Sequence, residues 1–139
     1  MTYATLYLQR ATRGLPTVSA AHWLIRVPLA AIIFQQGLMK FPLAADDAAS
    51  FGVPLLLWAF AAIGELGCAA LLVVGGLLSS WRGDLATRAA GAGIACIVVS
   101  VLYVAYWAPI TDIFLYNQLH VMLLAAALFF ALRGNAETV

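Results

Sequence analysis

Four apolar runs, at roughly residues 19–41, 53–78, 86–107 and 113–133, leave almost nothing after residue 18 outside them. Each has about the 20 residues that a helix needs to cross a bilayer core. A chain built this way is expected to be an all-α integral membrane protein, a four-helix transmembrane bundle. Composition agrees: 65% of the residues are hydrophobic, 9% are charged and the mean hydropathy is +0.99, far from the half-apolar, quarter-charged average of soluble domains. The net charge is +1, with no basic run, so nothing points to nucleic acid.

The first run differs from a plain anchor. From His22 to Lys40 it reads HWLIRVPLAAIIFQQGLMK, with Arg26, Gln35, Gln36 and Lys40 among the apolar residues. At 100° per residue, His22, Arg26, Ile33, Gly37 and Lys40 fall on one stripe, with Gln36 at its edge and Gln35 opposite. Residues 19–41 include nine from the set Leu, Ile, Val and Phe, worth about −3 to −5 kcal/mol of insertion free energy, whereas one central arginine costs about +2.5 kcal/mol or more. The stripe must therefore face other helices. A charge placed there is a functional-site candidate whose partner should be named, and the expected partner of Arg26 is Glu65, near the centre of the second run. This pair is read either as a device that sets helix register or as a proton-handling site, with Glu65 and Arg26 as its catalytic residues.

Residues 1–18 form an N-terminal segment carrying Arg10 and Arg13, and residues 19–139 a single transmembrane domain. Tyr3, Leu6, Tyr7 and Arg10 could lie along the interface. A signal peptide ending near Ala44 and Ala45 is disfavoured, because such an apolar core is normally about 7 to 15 uninterrupted residues. Arg10, Arg13, Arg82, Arg88 and Arg133 flank the runs on one side, and Lys40 stands alone on the other. The positive-inside rule then places both termini in the cytoplasm, and four spans require the same. Trp23 and Trp81 at the inner surface, with Tyr103, Tyr106, Trp107, Phe114 and Tyr116 at the outer one, read as aromatic belts. Small residues at spacing four, Ala61, Glu65 and Ala69 beside Gly64 and Cys68, and Ala89 with Gly93, let helices approach closely.

A second polar group is expected nearer the outer surface: Gln36 and Lys40 from the first run, Asn117, Gln118 and His120 from the fourth. Asn117 and His120, three apart, would share a helix face. Amide, ammonium and imidazole groups in an apolar bundle suit the oxygens of a quinone headgroup, with His120, Asn117, Gln36 and Lys40 as its binding residues. Hydrogen bonding between helices is the competing reading. Cys68 and Cys96 are too few and too far apart in sequence for a disulfide framework, a CxxC pair or a metal cluster, and read as mid-membrane packing residues. His22 and His120 belong to opposite surfaces and cannot share a haem. No Glu-x-x-His pair, phosphate loop, Ser-His-Asp set or zinc spacing occurs.

Arg26 followed by Gly37-Leu38-Met39-Lys40, then Gly64-Glu65-Leu66-Gly67, Gly75-Gly76 and Leu85-Ala86-Thr87-Arg88, resembles the DoxX family over residues 22–133. The resemblance implies a small membrane protein of the bacterial or archaeal cytoplasmic membrane. Some DoxX-like proteins look like membrane subunits of quinone-linked oxidoreductases, and others are tied to thiol and oxidative-stress systems. Relatives with paired cysteines exist; this chain lacks such a pair, which counts against thiol transfer by it. The function expected first is thus a quinone-linked membrane subunit of a redox system, working with other membrane or redox subunits and with no metal, haem or flavin of its own. A non-catalytic structural or assembly subunit of a larger membrane complex is the alternative. A small-solute transporter is a second one, for which repeats and broken helices are lacking.

Overall fold

The computed structural model describes residues 19–135. Residues 1–18, with the expected interfacial segment and Arg10 and Arg13, lie outside the described residues, as do residues 136–139. What is described is all-helical, in six helices that follow a short 3-10 turn at Ser19–His22: α1 (Trp23–Met39), α2 (Ala45–Ser50), α3 (Leu55–Leu77), α4 (Trp81–Ala105), α5 (Ile110–Tyr116) and α6 (Gln118–Arg133).

Local sequence explains the boundaries. Pro28, the sixth residue of α1, has no amide to give the Leu24 carbonyl, and the chain enters the helix directly from the 3-10 turn at Ser19–His22. Pro54 stands immediately before α3 and Pro109 immediately before α5, each in extended or near-extended backbone at the N-cap. Ser80 caps α4, its hydroxyl accepting from the Gly83 amide. Gly134 ends α6 at φ +64°, and an added Cβ there would run into the Asp84 carboxylate.

The long helices pack in series, α1 on α3, α3 on α4 and α4 on α6, with a smaller contact between α1 and α6. Neighbours run antiparallel: Gly37 of α1 abuts Ala62 and Leu66 while Arg26 reaches Leu72, and Gly64 faces Ile97 while Gly75 faces Thr87. The core between them is Leu29, Ile33, Leu72, Ile94, Val98, Leu123 and Phe130 with small Ala69, Ala90 and Ala127. The outward surface is equally apolar, with residues such as Leu24, Phe60, Leu77, Val99 and Leu132 exposed. A molecule apolar on both sides of its helices has lipid as its natural surroundings.

Two of the four expected spans appear as single helices. α3 and α4, at 23 and 25 residues, are long and apolar enough to cross a membrane. The first run is shorter than expected: α1 has 17 residues, and the rest of 19–41 is the 3-10 turn and the exit toward α2. The fourth run is not continuous. It breaks at Asn117, where α5 and α6 bend by 99°. The physical reason is local, since Asn117 sits at φ −118°, ψ 38° and the Gln118 side chain donates to the Leu115 carbonyl that the break leaves without a helical partner. Counted as one bent span, α5 and α6 bring the total to three.

Candidate functional site

The polar stripe read from the first run is the buried face of α1. Arg26, Ile33, Gly37 and Lys40 are buried, whereas Gln35 and Gln36 are exposed. Its two charges do not meet one partner. They lie 14 residues apart on one helix, about 21 Å along the axis, and each organises a separate cluster.

The expected Arg26–Glu65 pair does not form. Glu65 is instead held by Lys40, whose Nζ donates to both carboxylate oxygens at 2.8 and 2.7 Å and to the Gln36 carbonyl at 3.3 Å. The reason is register: with α1 and α3 antiparallel, the end of α1 lies level with the first half of α3, and Gly37 gives the close approach that lets a lysine side chain reach Glu65. A Cβ on Gly37 would come within 2.9 Å of the Leu66 side chain. Both partners are almost sealed, with side chains 11% and 4% exposed. The indole of Trp58, seven residues before Glu65 and so on the same face of α3, lies 5.1 Å from Nζ at its centroid. Phe51 stacks on that indole at 5.1 Å. Trp58 Nε1 is buried and has no hydrogen-bond partner. A fixed cation, a fixed carboxylate and an unused N–H donor thus converge inside an apolar wall.

Arg26 builds the second cluster near the opposite end. Fully buried, it makes no ion pair among the described residues. Its guanidinium donates to the Leu72 carbonyl at 2.5 Å, Thr87 Oγ1 at 3.0 Å and Asn135 Oδ1 at 2.9 Å. The ring of Phe130 lies 4.6 Å away and that of Trp23 5.4 Å. The guanidinium rests flat on Gly76, where any Cβ would lie 2.7 Å from Nη1. Only Nε is left without an acceptor. Asn135 extends the network to the Gly75 carbonyl at 2.7 Å and, through its amide, to Asp84 at 2.8 Å. Asp84 pairs with Arg88 at 2.7 Å, and Arg88 donates to the carbonyls of Leu132 and Arg133 at the C-terminus of α6. This cation at a helix end satisfies carbonyls that otherwise have no partner.

The expected headgroup set of His120, Asn117, Gln36 and Lys40 is not assembled by hydrogen bonds. Lys40 belongs to Glu65. The Gln36 side chain is exposed, and only its carbonyl is used. Asn117 stands in the break before α6, not on a helix face shared with His120. The half-buried His120 ring lies against Tyr106 at 4.9 Å. Antiparallel packing nevertheless leaves His120 at the same end of the molecule as Lys40. Trp58 and Asn135 were not singled out from sequence, and Thr87 only as part of the Leu85–Arg88 motif. For Trp58 the signal was present, as an aromatic residue seven before Glu65; Asn135, beyond the last apolar run, offered none.

A comparison with protein-family models, with curated proteins and with solved structures returns no match to this chain.

Proposed function

We propose that this chain is a DoxX-like multi-pass membrane protein, four helices across a bacterial or archaeal cytoplasmic membrane with both termini inside, acting as the quinone-binding membrane subunit of a redox system. The observation that carries the reading is the buried Lys40–Glu65 pair with the unpartnered Trp58 Nε1 beside it. A buried donor without an acceptor costs about 1–3 kcal/mol, a cost that a bound carbonyl oxygen removes. In this reading one quinone carbonyl accepts from Trp58 Nε1. Lys40 turns part of its hydrogen bonding toward the headgroup, and Glu65 takes or gives the proton that accompanies reduction. His120, Asn117 and Gln36 lie toward the end from which the headgroup enters, and Arg26 takes no part in proton handling. Quinone supplies the redox chemistry; electrons arrive from a partner subunit.

The assembly-subunit reading is favoured by a different observation. Nearly every donor of Arg26 and its neighbours is used inside the chain, as expected of a clasp that sets helix register. The two readings separate when the protein is purified in mild detergent and its co-purifying quinones, lipids and proteins are identified by mass spectrometry. Wild type is expected to carry quinone, and Trp58→Phe to carry about tenfold less, the equivalent of one good hydrogen bond. Absence of quinone from wild type together with a stoichiometric membrane partner would establish the assembly reading instead.

A further inference from the structure

Cys68 and Cys96, 28 residues apart in sequence, are neighbours in space. Both thiols are free, Cys68 half-buried and Cys96 exposed on the apolar surface. The α3–α4 hairpin brings them together. Its register is given by three contacts: Gly64 with Ile97, Cys68 with Gly93, and Gly75 with Thr87. Cys68 therefore lies level with Gly93, and Cys96 is one turn further along the same face of α4. Side chains tilt toward the N-terminus of their own helix. In an antiparallel pair this tilts Cys68 toward the level of Cys96, and Cys96 back toward the level of Cys68. The two side chains therefore lean toward each other across the hairpin. Cys68 Sγ occupies the space that a side chain on Gly93 would take, 2.6 Å from where a Cβ would stand. A disulfide needs Cα atoms within about 4.4–6.8 Å, tighter than the usual helix spacing of about 8–10 Å, and a position without a side chain beside Cys68 is what permits such an approach.

We propose that Cys68 and Cys96 form an intramembrane dithiol that closes reversibly to a disulfide across α3 and α4, with a quinone as its electron acceptor. Two S–H bonds break and one S–S bond forms. The two electrons and two protons released convert the quinone to hydroquinone, one proton to each of its oxygens. Cys96 stands on the lipid-facing side, where a quinone dissolved in the bilayer meets it, and Cys68 lies three residues from Glu65, on the adjoining face of α3. The choice of acceptor rests on the quinone reading above; the dithiol itself rests on the hairpin.

The experiment uses the full-length chain, reduced and reconstituted in liposomes, treated in one arm with diamide and in another with a short-chain benzoquinone. Free thiols are then capped with N-ethylmaleimide and the intact mass is measured. With diamide, wild type is expected to lose both adducts and the mass of two hydrogen atoms while remaining a monomer; Cys68→Ser and Cys96→Ser each keep one capped thiol. Two outcomes with diamide overturn the dithiol: both thiols stay capped, or the only product is a crosslinked dimer that Cys68→Ser forms equally well. In the quinone arm one hydroquinone per disulfide is expected. Bridging by diamide with none by benzoquinone overturns the acceptor and leaves the dithiol standing, while the quinone reading itself stands or falls on the quinone that co-purifies with wild type and Trp58→Phe.

Discussion

At the scale of single residues, two buried cations are handled in opposite ways. Lys40 is neutralised by a carboxylate, and Arg26 is surrounded by neutral acceptors and aromatic faces. Removing one member of the first pair strands the other, which costs about 3–5 kcal/mol, whereas replacing both with apolar residues is often close to neutral. Lys40→Met is therefore expected to lower the melting temperature in detergent sharply, and Lys40→Met with Glu65→Leu to recover most of it; equal losses in both would mean that the pair is not sealed from water. At the Arg26 site, Gly76 allows a comparison with Gly67 on the same helix. Gly76→Ala drives a methyl into the guanidinium and should cost about 1–3 kcal/mol. Gly67→Ala meets nothing within 4 Å and should stabilise α3 by up to about 1 kcal/mol. Thermal unfolding of both variants checks the difference. The presence of buried charge was legible in the first run, because insertion energies alone require Arg26 to find company. Its partner was not, because a guanidinium can be satisfied by carbonyls and amides that carry no sequence signature.

At the scale of elements, the ends of the helices carry the information that hydropathy lacks. Asn135, just past α6, hydrogen-bonds Arg26, Thr87, Gly75 and Asp84, so it ties the end of α6 to α1, α3 and α4 together. Asn135→Ala should cost about 1–3 kcal/mol for the donors and acceptors it strands. It should also speed hydrogen exchange over the last turn of α6 without affecting α5, which deuterium labelling with peptide mass spectrometry resolves. The fourth run reads as one helix because it stays apolar on average across Asn117, Gln118 and His120. Composition cannot register the 99° bend, which depends on backbone angles at Asn117. A bent pair also changes the expected depth of its first half. With α5 turned away from α6 and exposing Ile110, Phe114, Leu115 and Tyr116, Trp107 just before it should sit in the interfacial belt. In a variant with Trp107 as its only tryptophan, lipids brominated near the headgroup should quench fluorescence more strongly than lipids brominated deep in the chains.

At the scale of the whole molecule, antiparallel packing gathers Arg82 and Arg88 at the start of α4 with Arg133 at the end of α6, and places Asp46, Asp47 and Asp112 at the other end. Cysteines introduced at Arg82 and Arg133 into a variant lacking Cys68 and Cys96 are expected to react with an impermeant maleimide only in inside-out vesicles, and one at Asp112 only in right-side-out vesicles; the reverse pattern would invert the topology. That the chain is helical, apolar on every side and stitched by a few inward charges follows from patterning, because transfer free energy and helical periodicity are additive, local properties of the residues. Which charges meet does not follow from it. The choice of Lys40 over Arg26 for Glu65, the juxtaposition of Cys68 and Cys96, and the buried, unpartnered donor of Trp58 all depend on how far one helix slides along the next. A slide of one turn, about 5.4 Å, is enough to part Lys40 from Glu65, and the register is set by close contacts at Gly37, Gly76 and Gly93 that exist only once the helices are packed.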